Sequence, residues 1–338
     1  MVKIRISKNN LKLKMNKKGV FFTVISIILL SVVIFGLVID TETRLKEKRL
    51  PIETRVNSVD DFIGDIEIDI ERGLYIAAFR ALLGLQQNMI ESGQFVSNLN
   101  YTFEILVTNG TIGGEYVDVI DDAEMNSWIQ RISEKATELL IDMEYEIIDV
   151  RIRHINPWVI AIDIDVILDI ADEKGTASWQ RNSTITTTIN IEGFEDPLYT
   201  IHSNGGVIKE IEKTNISDFV DETGDTDGLL SHLDSSYYTE SNISPSYLQR
   251  LEGNLGPSPK GIESLVDLQE FSQLESYGVE LKDDCSIVDF VYFNNNCENI
   301  TSYLINNTYS WFRLDDTFID NSTGHIDVYE ARALIIPG

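Results

Sequence analysis

The chain has 338 residues and a formal net charge of −28, with 55 acidic against 27 basic groups. Its length allows a sizeable core and two domains, and its acidity excludes the basic surface that nucleic acid requires. Two cysteines and four histidines, with no CxxC and no His pair three or four apart, leave no metal-finger pattern.

Seven of the basic residues, Lys3 to Lys18, precede Gly19, and the first carboxylate is Asp40. The remaining chain therefore carries 20 basic against 55 acidic groups. Between the two lie 21 uncharged residues, Gly19–Ile39. As a helix they reach about 30 Å, the thickness of a bilayer core. The run is longer than a secretory apolar region and ends without a small-residue cleavage site. It predicts a retained transmembrane helix over 19–39, with the basic leader 1–18 in the cytoplasm and everything after it outside. At Lys17-Lys18-Gly19-Val20 the chain resembles the class III signal peptides of archaeal type IV pilin-like proteins. That resemblance implies a prepilin peptidase cutting after Gly19, Val20 as the new N-terminus, and pilin-like subunits as partners. It departs from the pattern at Val24, where many pilins have Glu, and in its long leader, which Met15 as the start would shorten. The alternative is an uncleaved signal anchor.

Residues 40–56 read as a charged stalk with a kink or break at Pro51. An amphipathic helix follows over about 58–91, with Phe62, Ile66, Ile70, Leu74, Ile76 or Ala77, Leu82 and Leu85 on its apolar face and an end near Gly93. A glycine turn lies at 108–114, and a second helix spans 125–143 with Trp128, Ile129, Ile132, Ala136, Leu139 and Leu140 inward. Then alternation of period two marks three strands. In WVIAIDIDVILDIAD the even positions Ile160 to Ile170 are apolar, while Asp163, Asp165 and Asp169 face out. Parity predicts a three-residue loop, Asn156-Pro157-Trp158, with Arg151 opposite Asp163, a pair worth about 0.2–1 kcal/mol. Residues 193–215 read as a turn and one or two short strands.

These segments give an α+β fold: the N-terminal transmembrane helix, a two-layer ectodomain (57–212) of helices packed on an antiparallel sheet, an acidic linker (213–245), and a small β-rich C-terminal region (246–338). Strands are expected there at 286–293, 310–315 and 325–335. Cys285 and Cys297 predict a local disulfide in an oxidising compartment, with two buried thiols as the alternative.

Sequons N-x-S/T occur at Asn100, Asn109, Asn182, Asn215, Asn242, Asn299, Asn306 and Asn321, all after the membrane segment. They predict a glycosylated ectodomain, with Asn242 set apart by the Pro245 that follows its Ser244. RGLYIAAFRAL, INPWVIAIDIDVILDI, IEGFEDPLY, GIESLV and VDFVYF resemble uncharacterised archaeal surface proteins with the same leader type, which implies location but transfers no active site.

Two motifs bear on chemistry. Asp163-Ile164-Asp165 has the letters of a glycosyltransferase DxD, without the βαβ pattern or glycine loop that would hold a nucleotide. TGDTDGLLSHLD, 223–234, holds the middle of a calcium loop, with Asp225, Asp227 and Asp234 as candidate ligands, and fails at both ends. No other cofactor is expected and no catalytic residue emerges. The function expected is a non-enzymatic membrane-anchored glycoprotein acting in binding, adhesion or envelope structure. Its partners are the lipid bilayer and a surface protein or glycan ligand, with no nucleic acid. A filament subunit cleaved after Gly19 is the alternative, and an anchored enzyme such as a glycosyltransferase is a lower one.

Overall fold

The computed structural model describes residues 17–173, 175, 177–275, 278–316 and 324–336. The chain is mixed α+β and divides into two compact units, 1–62 and 63–338. The division falls inside the first helix, α1 (Lys17–Ser92).

In the first unit, residues 17–62 are helical throughout. Phe21–Ile39 is long and apolar enough to cross a membrane, and every side chain in it is exposed. Of the kink or break expected at Pro51, the break is absent: α1 continues through it. A proline in a helix removes one donor and crowds the carbonyl four residues back, at about 3 kcal/mol. The surrounding TETRLKEKRLPIETRV is rich in Glu, Lys, Arg and Leu, which favour helix, and the backbone stays helical there. The leader residues 1–16 lie outside the described residues.

The second unit opens on the rest of α1. Ile63, Ile66, Ile70, Leu74, Ala77, Ala81, Leu82, Leu85 and Met89 are buried at spacings of mostly three or four, as the periodicity predicts. Gly93, at φ +63°, ends the helix by donating its N–H to Met89 O. A helix that periodicity did not signal follows, α2 (Leu99–Asn109), capped by the Asn98 side chain. The glycine turn is the tip of a hairpin, β1 (Thr111–Ile112) and β2 (Glu115–Tyr116).

Helix α3 (Met125–Glu138) is shorter than expected. Leu139 and Leu140, placed on its apolar face by spacing, are instead exposed, and Leu140 takes φ +59° as the chain reverses into strand. Trp128 of α3 presses on α1 at Gly73, where an added Cβ would lie 2.6 Å from the indole. Overpacking of this kind costs about 1–3 kcal/mol, against at most ~1 kcal/mol gained by alanine in a helix. Gly73→Ala is therefore expected to lower the denaturation midpoint of the purified chain. An unchanged or higher midpoint would count against this close approach.

Strands β3 (Ile141–Asn156), β4 (Val159–Asp172) and β5 (Ser178–Asn190) form one antiparallel sheet in the order β3-β4-β5. Ile160, Ile162, Ile164, Val166, Leu168 and Ile170 are buried, as alternation predicts. Arg151 does oppose Asp163. The loop, however, is the two residues Pro157-Trp158, not three. Parity survives because β3 bulges at Ile155, absorbing one residue, and again at Ile148.

The segment 213–245, expected as a linker, is folded. It holds α5 (Asp227–Asp234) and β6 (Tyr238–Glu240), with Phe219, Leu229, Leu233 and Tyr238 buried. None of its large apolar residues is fully exposed, and Ile216, Val220, Leu230 and Tyr237 are half-buried. Residues 193–215, read as a turn and strands, contain α4 (Pro197–His202). Beyond them come α6 (Tyr247–Leu251), β7 (Ile262–Ser264), α7 (Leu268–Ser272), α8 (Asp289–Tyr292), β8 (Ser302–Leu304), β9 (Arg313–Asp315) and α9 (His325–Val328). Strands expected at 286–293 and 325–335 are thus short helices, and only the one at 310–315 is found. Tyr238–Glu240, inside the segment expected as a linker, pairs with Ile262–Ser264 of the C-terminal region in one small sheet.

Candidate functional site

The DxD letters sit on the outer face of the sheet and are already engaged. Asp163 takes a two-pronged contact from Arg153 (Nε–Oδ2 2.9 Å, Nη2–Oδ1 3.3 Å) and a 2.6 Å bond from Thr186 Oγ1. Asp165 accepts from Arg151 Nη1 and from Thr184 Oγ1, each at 2.6 Å. The cross-strand ion pairs therefore run diagonally rather than along the opposed pair. Burial pushes the Asp163 carboxyl up, but the bonds from Arg153 and Thr186 outweigh it and hold it low. Arg151 and Thr184 hold Asp165 low. Each carboxylate is taken up by guanidinium and hydroxyl donors, not turned toward an open coordination position.

The calcium candidates are not brought together. Asp225 accepts from the Asp227 N–H at 2.9 Å in the turn before α5. Asp227 opens that helix and Asp234 closes it. Seven residues of rise separate them by about 10 Å, too far for ligands of one ion at 2.3–2.6 Å. Gly228 answers to packing instead, since a Cβ there would lie 2.4 Å from Asp218 O. Among the described residues no group of three His, Cys, Asp or Glu stands close enough to hold a metal.

A further gathering of charge has no counterpart among the sequence motifs, and it is closed to solvent. Asp196, Arg250, Asp289, Tyr238 and Ser264 are each fully buried. Local rules place them. Asp196 caps α4 through Oδ1, which accepts from Leu198 N at 2.9 Å, with Pro197 at the first helical position. Ser246 and Gln249 form a capping box that starts α6 and so sets Arg250 one residue on. Arg250 Nη1 then bonds Asp196 Oδ2 at 2.6 Å and Asp289 Oδ2 at 2.8 Å, while Nη2 donates to Ile262 O. Tyr238 donates to Asp196 Oδ2 at 2.9 Å. Ser264 gives Asp289 both its N–H, at 3.0 Å, and its hydroxyl, at 2.8 Å. Burial raises the Asp289 carboxyl above the ordinary range, against the pull of Arg250 and with Asp196 adding to the rise.

A second buried cluster adjoins it in sequence. His325 Nδ1 lies 2.9 Å from Asp315 Oδ2, and Nε2 lies 3.5 Å from Glu263 Oε2. Burial opposes the charged imidazole, but Glu263 and Asp315 overcome it and raise its pKa to about 10. The grooves of about 620, 310 and 240 Å³ on this unit are lined by other residues. These groups bind one another and are closed to solvent.

The other residues singled out by the sequence fall as follows. Cys285 and Cys297 are disulfide-bonded. Gly19 and Val20 lie within α1. Asn100, Asn109, Asn182, Asn215, Asn242, Asn299 and Asn306 are all exposed, and Asn321 lies outside the described residues. Ser244, the hydroxyl of the Asn242 sequon, is fully buried and donates to Ser241 O at 2.9 Å.

No protein-family model, curated protein or solved structure matches this chain.

Proposed function

We propose that the chain is a membrane-anchored surface protein whose folded unit acts outside the cell, without catalysis, in binding, adhesion or envelope structure. One observation carries this reading: the 19 residues Phe21–Ile39 are helical, apolar and wholly uncovered by protein. Water is a poor solvent for such a surface and lipid a good one. The seven basic residues and no acid on its N-terminal side, against a mixed-charge segment with both acids and bases on the other, the exposed sequons after it and the formed disulfide all favour an external unit. The lipid bilayer is then the first partner, and a surface protein or glycan the ligand.

A second reading, a pilin-like filament subunit cleaved after Gly19, gains from the continuity of α1 through Pro51. An unbroken helix is what such an assembly needs.

Two measurements on intact cells decide the matter. External protease is expected to reach residues 63–338, and protection of that region would sink both readings. The mass of the mature protein separates them, because a chain starting at Val20 supports the filament and an intact Met1 or Met15 supports the anchor. Glycopeptides from the same sample are expected at the exposed sequons but not at Asn242, whose hydroxyl partner is buried. A modified Asn242 would show that transfer precedes folding.

A further inference from the structure

The β5 edge of the sheet lacks the features that ordinarily keep an edge strand from pairing. Ile191 N–H donates to Trp158 O, continuing the β4–β5 ladder. In an antiparallel pair that sets the odd residues of β5 toward β4. The N–H and C=O groups of Gln180, Asn182, Thr184, Thr186 and Thr188 consequently point to the open edge. Among the described residues, no other strand pairs there. β5 has no register shift over its thirteen pairs, and residues 182–191 hold no charge and no proline. Arg181 and Ser183 reach Glu67 of α1 at 2.8 and 2.7 Å, which places α1 along the inner side of this edge. Between helix and strand lies a groove of about 620 Å³, lined in part by Glu67, Ile68, Glu71, Arg181, Thr184 and Thr186. Ile68 is 51% exposed there. Among the described residues, no cation pairs with Glu71.

We propose that this edge and groove receive a basic, extended segment of a partner protein, added to the sheet as a fourth strand beside β5. Main-chain bonds to a free edge hold an extended chain, and the pockets met by its alternate side chains select which chain. Odd residues of β5 face α1, so alternate side chains of an added strand enter the groove. There Glu71 offers an unpaired carboxylate, and Glu67 offers a second that Arg181 already shares. Ile68 gives an apolar surface on which a lysine or arginine stem can lie. The wider field acts in the same direction. Residues 63–338 carry 49 acidic against 15 basic groups, a balance that repels a second copy or any acidic strand and draws a basic one. The remaining side chains of the added strand meet the uncharged row Asn182, Thr184, Thr186 and Thr188. Such a segment is the surface-protein ligand of the reading above and rests on it for its setting outside the cell. Binding to the purified chain tests the edge alone, so a failure there leaves the location untouched.

The test uses the full chain in non-ionic detergent. The probe is a blocked peptide of alternating threonine and lysine, about nine residues long, which at about 3.3 Å per residue spans Gln180–Thr188. It is expected to bind at one site and at least about tenfold more tightly than a peptide of the same composition with its lysines in one block. Glu71→Lys is expected to weaken binding about fivefold. Glu144→Lys makes the same change of charge on β3 at the opposite edge and is expected to leave it within about twofold. Thr188→Pro removes an N–H that points away from β4, a substitution that an edge position tolerates, and should cost about fivefold. If that variant misfolds, the comparison of Glu71→Lys with Glu144→Lys still decides. Amide exchange at 182, 184, 186 and 188 should slow when the peptide binds. Equal affinity for the two peptides overturns the proposal, as does equal weakening by the two lysine variants, the result expected of diffuse charge attraction. Unchanged exchange at the four edge amides overturns it as well.

Discussion

Arg250→Met is expected to cost the second unit about 3–5 kcal/mol, the penalty for stranding buried charge. A domain's whole stability is about 5–15 kcal/mol, so the variant sits near the edge of folding. Methionine fills much of the volume but leaves Asp196 and Asp289 side by side, with only Tyr238, Ser264 and three backbone N–H donors for company. Two buried carboxylates without a cation must take up a proton or admit water. The companion variant Arg250→Met with Asp289→Asn removes one of the two charges and is expected to recover part of the loss. Asp196 is kept in both because it also caps α4. Denaturant midpoints measure the series. A loss below about 1 kcal/mol for Arg250→Met, the range of surface ion pairs, would mean that the triad is not sealed from water.

The second large effect is a stability maximum near pH 6.5 with opposite causes on its two sides. His325 has a folded pKa of about 10, because Glu263 and Asp315 favour its charge more strongly than burial opposes it. An unfolded histidine titrates near 6.5. Its stabilisation is thus complete below pH 6.5 and is lost as pH rises toward 10. His154 and His232 are the reverse: burial lowers each to about 4. Their contribution is complete above pH 6.5 and is lost as pH falls toward 4. Each pH unit within a window changes stability by about 1.4 kcal/mol per group. His325→Gln should flatten the alkaline limb and spare the acid one, with midpoints measured from pH 5 to 10. An unchanged alkaline slope would remove His325 as its source.

Where a single period dominates, the sequence was enough. The apolar stripe of α1, the three long strands and the opposition of Arg151 to Asp163 all follow from spacing. Parity alone could not reveal that a bulge at Ile155 would let a two-residue turn serve. The missed helices are short, and their signals are capping residues rather than periodicity. Asp196-Pro197 and Ser246-x-x-Gln249 were both legible as helix starts. The buried ionic core was not legible in the same way. Its one local trace is a charge inside an apolar run, as Asp289 lies between Val288 and Phe290, and nothing in the spacing joins it to residues 39 and 93 positions away. The candidate calcium loop, incomplete at both ends by its letters, holds the helix Asp227–Asp234, which sets apart the two aspartates that bound it.

The Arg250 triad also fixes an order of events during synthesis. Asp196 precedes Arg250 by 54 residues, and Arg250 precedes Asp289 by 39. At about 5–20 residues per second, the first carboxylate waits about 3–11 s for its cation, and that cation about 2–8 s more for its second anion. Throughout that interval the nascent chain holds an unmatched charge where its interior must form. The triad itself therefore cannot close until residue 289 has been made.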